Sequence, residues 1–335
     1  MTSTPLKIAI RGAGITGLWQ ALTLARRGHQ VILAERSAEP FADACSPYAG
    51  AMLAPRCEEE SAEAIIRELG ERGIALWKEA YPGLVAQGSL VVAPARDRSL
   101  LDRFERMTEG AGRLDGAALA ELEPGLAPRF GTALYYAGEA TTRTQRSPSC
   151  SARSRRPVSP FSSAWRPFRK APDLIVDCRG LAAKDGLPTL RGVRGERIVV
   201  RAPEIDIQRP VRLLHPRFPL YLVPWGDGLY MVGATAIERE DGGPATLRSA
   251  LELLSAAYVL DPAFGEAEIL ALGAGVRPAF SDNRPRIIPL NGYIYVNGLY
   301  RHGFLLAPVM AELVADYLET GATNPEVFVA DPAQR

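Results

Sequence analysis

Three glycines and one acid near the start of the chain have the spacing needed to bind the diphosphate and ribose of a dinucleotide. Gly12, Gly14 and Gly17 form the pattern GxGxxG, and Glu35 follows eighteen residues after Gly17. In such a pattern the first glycine permits a tight turn and the second lets a pyrophosphate approach the backbone. The third lets a helix pack close to the preceding strand. The acid binds ribose hydroxyls and disfavours NADP, but the pattern does not separate FAD from NAD.

A strand, a helix and a second strand must position these residues. Ile8–Arg11 is short and apolar and ends at the glycine turn, as is typical of a buried parallel strand. A helix is predicted over Ile15–Arg27, with its N-terminal amides and positive dipole end toward the phosphates, and Gly28 ends it. A strand predicted over Gln30–Ala34 then delivers Glu35. These elements predict a nucleotide-binding domain of the Rossmann type.

The net charge of +1 over 335 residues hides one basic segment. Residues 141–171 contain seven arginines, one lysine and no acid, so the rest of the chain carries −7. A mildly acidic protein is a poor partner for polyanions, so no nucleic-acid partner is predicted. No apolar run approaches the roughly 20 residues that cross a bilayer, and no cationic leader precedes the first strand. We therefore predict a cytoplasmic protein without a membrane partner.

Cysteine and histidine usage argues against a disulfide framework and a metal site. The four cysteines contain no CxxC pair, and the chain has only three histidines. This pattern predicts free thiols in a reducing compartment and no bound metal.

Five further stretches carry a resemblance to a known family. The run ACSPYAGAMLAP (44–55) would by composition alone be a tight turn, but it follows the ribose acid in the position of a flavin-lining run. The other stretches are DLIVDCRGLAA (173–183), LYLVPWGDGLYMVGAT (220–235), GVRPAFSDNRPRIIP (275–289) and NGLYRHGFLLAP (297–308). In this order the motifs resemble the D-amino-acid oxidase family, and within it the bacterial glycine oxidases of thiamine biosynthesis. The resemblance covers almost the whole chain except 141–171.

The resemblance implies an α/β fold with FAD as the cofactor. It implies a Rossmann-type FAD-binding domain interleaved with an α+β substrate domain built on an antiparallel sheet. The FAD-binding domain is predicted to comprise 1–82, 139–195 and 272–335, and the substrate domain 83–138 and 196–271. Ligands would bind in the cleft between the two domains.

The implied reaction is oxidation of glycine, sarcosine or a small D-amino acid by hydride transfer to the flavin. Reoxidation by O2 would give an imino acid and H2O2, so the predicted partners are a small amino acid and O2. The flavin carries the difficult chemistry, and no general base is obligatory. Two alternatives stay open: an FAD-dependent dehydrogenase that uses another electron acceptor, and a nucleotide-binding protein without turnover. The sequence is compatible with a monomer or a homo-oligomer, and it does not fix the preferred amino acid.

The resemblance also assigns residues to the site. Arg277 would hold the substrate α-carboxylate through two parallel hydrogen bonds, Tyr221 would donate its hydroxyl to the same carboxylate, and Arg301 would lie beside the flavin. His302 could act as a base, but we favour a structural role, with the turn serving the flavin through backbone amides. The acids of the run Glu58–Glu60 are predicted to be a solvated helix start. The predicted cofactor-binding residues are Gly12, Gly14, Ile15, Thr16, Gly17, Glu35, Arg36, Cys45, Ser46, Gly50, Ala51, Met52, Gly180, Leu299, Tyr300, Arg301, His302, Gly303, Phe304 and Leu305.

Apolar spacing predicts helices outside the nucleotide fingerprint as well. They are expected over Glu60–Tyr81, Asp102–Glu109, Gly116–Leu122 with Asp115 as its cap, Thr246–Val259, and Ala307–Glu319.

The segment 141–171 does not fit this pattern. The family would have a helix and a strand that reaches the FAD adenine here, but four prolines and crowded like charges break any helix. Our hypothesis is a local reading-frame slip, because shifted GC-rich codons for Ala, Leu, Val and Gly yield Arg, Ser, Pro and Cys. A natural disordered insertion is the alternative. Either a lost strand or a lost adenine pocket would weaken FAD binding.

Overall fold

The structure is a computed structural model that describes residues 4–37, 41, 43–142, 171–217 and 219–329. The strands in these ranges are β1 (Lys7–Arg11), β2 (Gln30–Ala34), β3 (Met52–Leu53), β4 (Leu84–Val85), β5 (Ser89–Val92), β6 (Gly112–Asp115), β7 (Thr132–Tyr136), β8 (Ala140–Thr142), β9 (Leu174–Asp177), β10 (Arg191–Arg201), β11 (Val211–Leu213), β12 (Leu220–Gly226), β13 (Leu229–Gly233), β14 (Glu268–Ala279), β15 (Arg286–Leu290) and β16 (Tyr293–Asn297). The α-helices are α1 (Ile15–Arg26), α2 (Pro55–Glu58), α3 (Ala64–Ala80), α4 (Arg98–Met107), α5 (Gly116–Leu122), α6 (Leu247–Leu260) and α7 (Gly303–Thr320).

A five-stranded sheet of order β15-β16-β9-β1-β2 carries the glycine turn. The pairs β1/β2, β1/β9 and β9/β16 are parallel, whereas β15 pairs antiparallel with β16. Ile8 and Ile10 of β1 are fully buried and share one core with residues of α1, α3 and α7. The predicted strand–helix–strand unit is therefore confirmed, and α1 is one residue shorter than expected.

The second large sheet has eight strands in the order β14-β10-β13-β12-β11-β5-β7-β6. Its neighbouring strands are antiparallel except for β11 and β5, which are parallel. Leu253 and Leu260 of α6 share its core with Leu222 of β12 and Val232 of β13. The predicted antiparallel sheet is confirmed. The division into two discontinuous domains stays a prediction, and β10 and β14 each continue across a predicted boundary.

A small sheet of order β3-β8-β4 connects the two larger layers. Met52 of β3 pairs with Thr141 of β8, so the run after the second strand is more than a turn. Thr141, Thr142 and Ala171 are the described residues of the basic segment; the predictions for 143–170 lie outside the described residues.

Several predicted helix limits were wrong. Of the predicted helix Glu60–Tyr81 only α3 (Ala64–Ala80) forms, and α4 starts four residues before Asp102. The last helix starts at Gly303, four residues before the predicted Ala307, although Pro308 lies inside it. Pro308 has no N–H to donate to the carbonyl of Phe304, four residues earlier. Trp77 Nε1 donates to that carbonyl instead, at 2.7 Å, so the helix continues through the proline.

Side chains cap the N-termini of α5 and α6, and the cap of α5 is the predicted one. Asp115 caps α5, because its carboxylate accepts a hydrogen bond from the Ala118 amide at 2.8 Å. Thr246 caps α6 in the same way, accepting from the Ser249 amide. Among the described residues, no helix is long and apolar enough to cross a membrane.

Candidate active site

A cavity of about 770 Å³ lies where the carboxyl ends of β1, β2, β9 and β16 face β12, β13 and β14. Ligands of α/β sheets bind in a crevice at this end of the strands, and small-molecule pockets span about 300–1,000 Å³. The predicted site residues that line it are Gly12, Gly14, Ile15, Thr16, Glu35, Arg36, Cys45, Ser46, Gly50, Ala51, Met52, Gly180, Tyr221, Arg277, Leu299, Tyr300, Arg301, His302, Gly303, Phe304 and Leu305. Gly17 does not line it.

The glycine turn has the geometry that its spacing predicts. Gly12 has φ +98°, and a Cβ there would lie 2.7 Å from the carbonyl oxygen of Cys178. A Cβ on Gly17 would lie 1.8 Å from the carbonyl oxygen of Gly12. Gly17 therefore allows α1 to pack on β1 and contributes to the site indirectly. Gly14 faces the cavity and is the N-cap residue of α1. As a glycine it has no side chain that could cap the first helix amides.

Glu35 and Ser46 hold the loops around this turn. Glu35 Oε2 accepts a hydrogen bond from the Ala13 amide, and Oε1 accepts one from the Arg36 amide, both at 2.7 Å. The carboxylate is thereby fixed at the end of β2, beside the glycine turn. Ser46 Oγ accepts from the Ile15 amide at 3.1 Å. This cradle of small residues, helix amides and an acid fits the diphosphate and ribose of a dinucleotide.

The wall next to β3 is built from small residues that lie close to the eight-stranded sheet. Ala51 has φ +56°, and a Cβ on Gly50 would lie 2.3 Å from Met231 Cε. On the β9 side, the carbonyl of Gly180 accepts a hydrogen bond from Asn297 Nδ2 at 2.9 Å, which connects the ends of β9 and β16. Small residues of the run 44–55 therefore form this wall of the cavity, and its contact with a flavin ring stays a prediction.

The turn before α7 is less available to a ligand than the sequence indicates. The Tyr300 amide donates to the carbonyl of Pro278 at 3.0 Å, and the His302 amide donates to that of Leu299 at 2.8 Å. These two amides are used by the fold. The first amides of α7, from Gly303 onward, have no acceptor within the helix and lie at its positive dipole end. They are the groups of this turn that can stabilise negative charge in the cavity.

Arg277 extends from β14 into the cavity and is half-buried. Its Nη1 donates to the carbonyl of Thr235 at 3.0 Å. A Cβ on the neighbouring Gly195 of β10 would lie 2.1 Å from Arg277 Nη2, so Gly195 makes room for the guanidinium. In the described part of the chain, no carboxylate forms an ion pair with Arg277, and desolvation lowers its pKa. This is the arrangement of a cation that receives an anionic ligand.

Arg301, Glu58 and Tyr221 form one hydrogen-bonded group in the same cavity. Arg301 Nη2 lies 2.8 Å from Glu58 Oε2 and donates to the Tyr221 hydroxyl at 2.6 Å. The Tyr221 hydroxyl donates to Glu58 Oε1 at 3.3 Å. The expectation that Glu58 is solvated is therefore wrong. Glu58 is 9% exposed and lines the cavity.

The acid run 58–60 was misjudged because its three side chains diverge. Glu58 is the last residue of α2, and Glu59 and Glu60 follow in a turn, so the three side chains point to different neighbours. Glu58 contacts Arg301, whereas Glu59 pairs with Arg67 at 2.6 Å and Glu60 with Arg212 at 2.8 Å. The run begins three residues after the stretch 44–55, which lines the cavity. That proximity was the sequence signal that could have indicated an acid facing the cavity.

The charges of this group shift the titration of its members. Burial by itself raises the pKa of Glu58, but Arg301, His302 and Arg212 outweigh it and lower the pKa to about 2. Burial lowers the pKa of His302 to about 4, despite Glu58 at 3.8 Å. Burial raises the pKa of Tyr221. At neutral pH Glu58 is ionised and His302 is neutral, which agrees with a structural His302 next to an ion pair.

Comparison with known proteins decides the family. The sequence profile of the family described as FAD-dependent oxidoreductase (DAO) matches residues 7–147 and 159–317. This chain belongs to that family. The predicted resemblance and the predicted cofactor are thereby confirmed, and the glycine turn and Glu35 are the residues that would hold the adenosine diphosphate part of FAD.

Relatives of this FAD-dependent oxidoreductase span nearly its whole length. It is 48% identical over 328 residues to the thiamine biosynthesis oxidoreductase ThiO of Rhizobium etli, covering 96% of this chain and 99% of that protein. It is 26% identical over 367 residues to the glycine oxidase of Geobacillus kaustophilus, covering 94% of this chain and 93% of that protein.

Solved structures share the fold. The crystal structure of glycine oxidase from Geobacillus kaustophilus aligns with a TM-score of 0.73 at 23% identity, covering 95% of each chain. That of glycine oxidase from Bacillus cereus aligns with a TM-score of 0.74 at 21% identity, covering 95% of this chain and 96% of that one. The predicted α/β architecture is confirmed.

Proposed function

We propose that this FAD-dependent oxidoreductase oxidises glycine, sarcosine or a small D-amino acid to the imino acid, with O2 as the final electron acceptor and H2O2 as the second product. The glycine oxidases and ThiO among its relatives support this substrate class. The 48% identity to ThiO also supports a role in thiamine biosynthesis. A cytoplasmic location remains a prediction.

The observation that carries the proposal is that Arg277 lines the cavity without an ion-pair partner among the described residues. A half-buried guanidinium without an ion-pair partner in the described residues is costly unless a ligand supplies the anion. A guanidinium fork can hold a carboxylate through two parallel hydrogen bonds, which fixes where the α-carbon points. The carboxylate that all amino acids share would fulfil this requirement.

Bound FAD supplies the acceptor for the hydride that leaves the α-carbon. The protein's own contribution is to bind and orient the amino acid. Arg277 would hold its carboxylate, and the hydroxyl of Tyr221 would contact the same carboxylate after turning from Glu58. The N-terminal dipole of α7 would stabilise negative charge at the edge of the cavity by about 0.3–1 kcal/mol. A neutral His302 adds no charge to the cavity wall.

The test uses the purified protein loaded with FAD. Glycine, sarcosine and D-alanine are each added without oxygen, and the loss of visible flavin absorbance is followed. We expect bleaching with at least one of them, and H2O2 formation once oxygen is admitted. Bleaching followed by slow oxygen consumption and fast dye reduction would instead indicate a dehydrogenase. Protein that contains FAD and is bleached by none of the three would refute the proposal.

Arg277→Met tests the role of the guanidinium. Loss of a charge-assisted, bidentate contact should raise KM by about 100-fold, since each factor of ten corresponds to about 1.4 kcal/mol. Arg239→Met is the matched control, because the Arg239 side chain is 60% exposed and pairs with Asp241 outside the cavity. Equal kinetics of the two variants would contradict the role of Arg277.

A further inference from the structure

Five of the described arginines line the cavity. Arg11 and Arg179 pair with Asp177, Arg36 pairs with Asp43, and Arg301 pairs with Glu58. Arg277 has no ion-pair partner among the residues that the structure describes. Arg301 lies 2.8 Å from Glu58 and donates its hydrogen bond to Tyr221. Among the arginines of the cavity in the part of the chain described, Arg277 alone is therefore left without a counter-charge.

We propose that Glu58 is a specificity residue that restricts the site to ligands with one carboxylate. Its charge neutralises Arg301, so that only Arg277 is available for an anion. The proposal rests on the proposed function, because it concerns which amino acids the carboxylate site accepts.

The position of Glu58 supports a role in the cavity rather than only in the fold. Glu58 is the last residue of α2, and it, Tyr221 and Arg301 all line the cavity that contains Arg277. A second ligand carboxylate that approached Arg301 would meet the negative charge of Glu58. Like charges placed against each other across an interface are strongly unfavourable.

The other charges around Tyr221 cancel. Arg212 belongs to β11, and its Cζ lies 5.2 Å from the centroid of the Tyr221 ring. Its guanidinium pairs with Glu60 at 2.8 Å. His302 is the other titratable group that faces Glu58, and burial keeps it neutral above a pKa of about 4. Removing the charge of Glu58 alone would therefore leave two guanidinium groups of the cavity, those of Arg277 and Arg301, without a counter-charge instead of one.

Glu58→Gln is the substitution that makes this change with little change in shape. The glutamine keeps an oxygen that can accept from Tyr221 or Arg301, but it leaves the charge of Arg301 unpaired. An unpaired charge out of bulk water favours an anionic partner. A ligand with two carboxylates should then bind with one on Arg277 and the other on Arg301.

The test measures the affinity of ligands for the FAD-loaded protein from the change that they cause in the flavin spectrum. Acetate is the probe with one carboxylate and malonate the probe with two. In Glu58→Gln we expect malonate to gain at least about tenfold in affinity relative to acetate, compared with the wild type. The ratio of kcat/KM for D-aspartate to that for the nearly isosteric D-asparagine should rise in the same direction.

Glu59→Gln is the matched control, because it removes one negative charge from the neighbouring residue, which pairs with Arg67 and does not line the cavity. Its malonate-to-acetate ratio should equal that of the wild type. An unchanged ratio in Glu58→Gln would overturn the inference, as would an equal gain in both variants.

A second variant keeps the test open if Glu58→Gln does not retain FAD. Arg301→Gln leaves the negative charge of Glu58 uncompensated, so malonate should weaken by more than acetate. An unchanged ratio there would also overturn the inference. The proposed function fails separately: it fails if wild-type protein is not bleached by any of the three amino acids, whatever the ratio of the two anions.

Discussion

At the scale of single residues, the position of the Arg277 guanidinium depends on the absence of a side chain on its neighbour. Gly195 of β10 pairs with Gly275 of β14, and a Cβ on Gly195 would lie 2.1 Å from Nη2 and 2.3 Å from Cζ of Arg277. No heavy atoms approach so closely without displacement. The direction of the guanidinium, and with it the direction of a bound carboxylate, therefore depends on a glycine of β10, the adjacent strand of the sheet.

Gly195→Ala should displace the guanidinium of Arg277 without removing its charge. We expect KM for the amino acid to rise by about tenfold or more, because the two parallel hydrogen bonds lose their alignment. The measurement is steady-state kinetics together with the thermal midpoint. Gly131→Ala is the control, since a Cβ on Gly131 meets nothing within 4 Å. A KM change of similar size in both variants would show that the effect is not specific to Arg277.

His302 should make the stability of the protein depend on pH in a defined window. Burial lowers its pKa from 6.5 to about 4 in the folded state, so between these values the unfolded chain binds the proton and the folded chain does not. Stability from this residue is thus lost as pH falls from 6.5 toward 4, by about 3 kcal/mol at most. Glu58, lowered to about 2, loses its contribution only below pH 4.5.

The measurement is the thermal midpoint in excess FAD at pH values from 7.5 to 4.5. His302→Gln should lose less stability than the wild type over the acidic half of this range, because glutamine takes up no proton. Glu139 has a pKa raised by burial to about 7 and acts in the opposite direction, so the wild-type curve alone is not diagnostic. The difference between variant and wild type is diagnostic, with His215→Gln as the control. Parallel curves for His302→Gln and the wild type would contradict the prediction.

At the scale of elements, α7 depends on a partner far away in the sequence. Pro308 removes the donor for the carbonyl of Phe304, and Trp77 of α3 replaces it with its indole N–H. The Trp77 ring also packs on Trp19 and stacks on Phe304, with ring centroids 4.9 and 6.3 Å away. The hydrogen bond and the ring packing together fix the first turn of α7 beside the cavity.

A double-mutant cycle separates the hydrogen bond from the packing. Trp77→Phe should cost about 1–3 kcal/mol from the unsatisfied carbonyl, in addition to lost ring contacts. In a Pro308→Ala background the alanine amide can donate to the Phe304 carbonyl, so the same change should cost less. The measurement is the free energy of unfolding of the four proteins in denaturant. Strictly additive effects would show that Trp77 contributes packing alone.

The elements that the sequence predicts well are those whose signals are local. The turn from β1 to α1 and the ribose acid follow from spacing within thirty-odd residues, and the structure has them at the expected positions. The early start of α7 depends on Trp77, and the burial of Glu58 depends on Arg301. Both involve partners more than two hundred residues away, which periodicity and capping signals do not contain. The family motif predicted Arg277 at the site, but only the three-dimensional structure shows that none of the described carboxylates forms an ion pair with it.

At the scale of the whole molecule, one segment differs from the rest of the chain in its charge and in its match to the family. Residues 141–171 carry a charge of +8 while the rest of the chain carries −7. The family profile matches both sides and leaves 148–158 unmatched, inside this segment. The match to the family profile resumes at residue 159, and it continues through β9, which pairs with β1 and β16 in the centre of the five-stranded sheet. An abrupt loss and recovery of the family pattern is what two compensating frame shifts would produce.

We expect independent genomic clones to show two compensating insertions or deletions of single nucleotides, one near the codon for Thr141 and one near that for Ala171. The corrected segment should contain fewer arginines and regain apolar periodicity, because restoring the frame returns its Arg, Ser, Pro and Cys codons to codons for Ala, Leu, Val and Gly. The corrected protein should also bind FAD more tightly, as measured by flavin fluorescence during titration. A single uninterrupted frame in every clone would instead establish a natural insertion; deletion of 143–170 would then leave FAD affinity unchanged, since an insertion adds chain without replacing part of the adenine pocket.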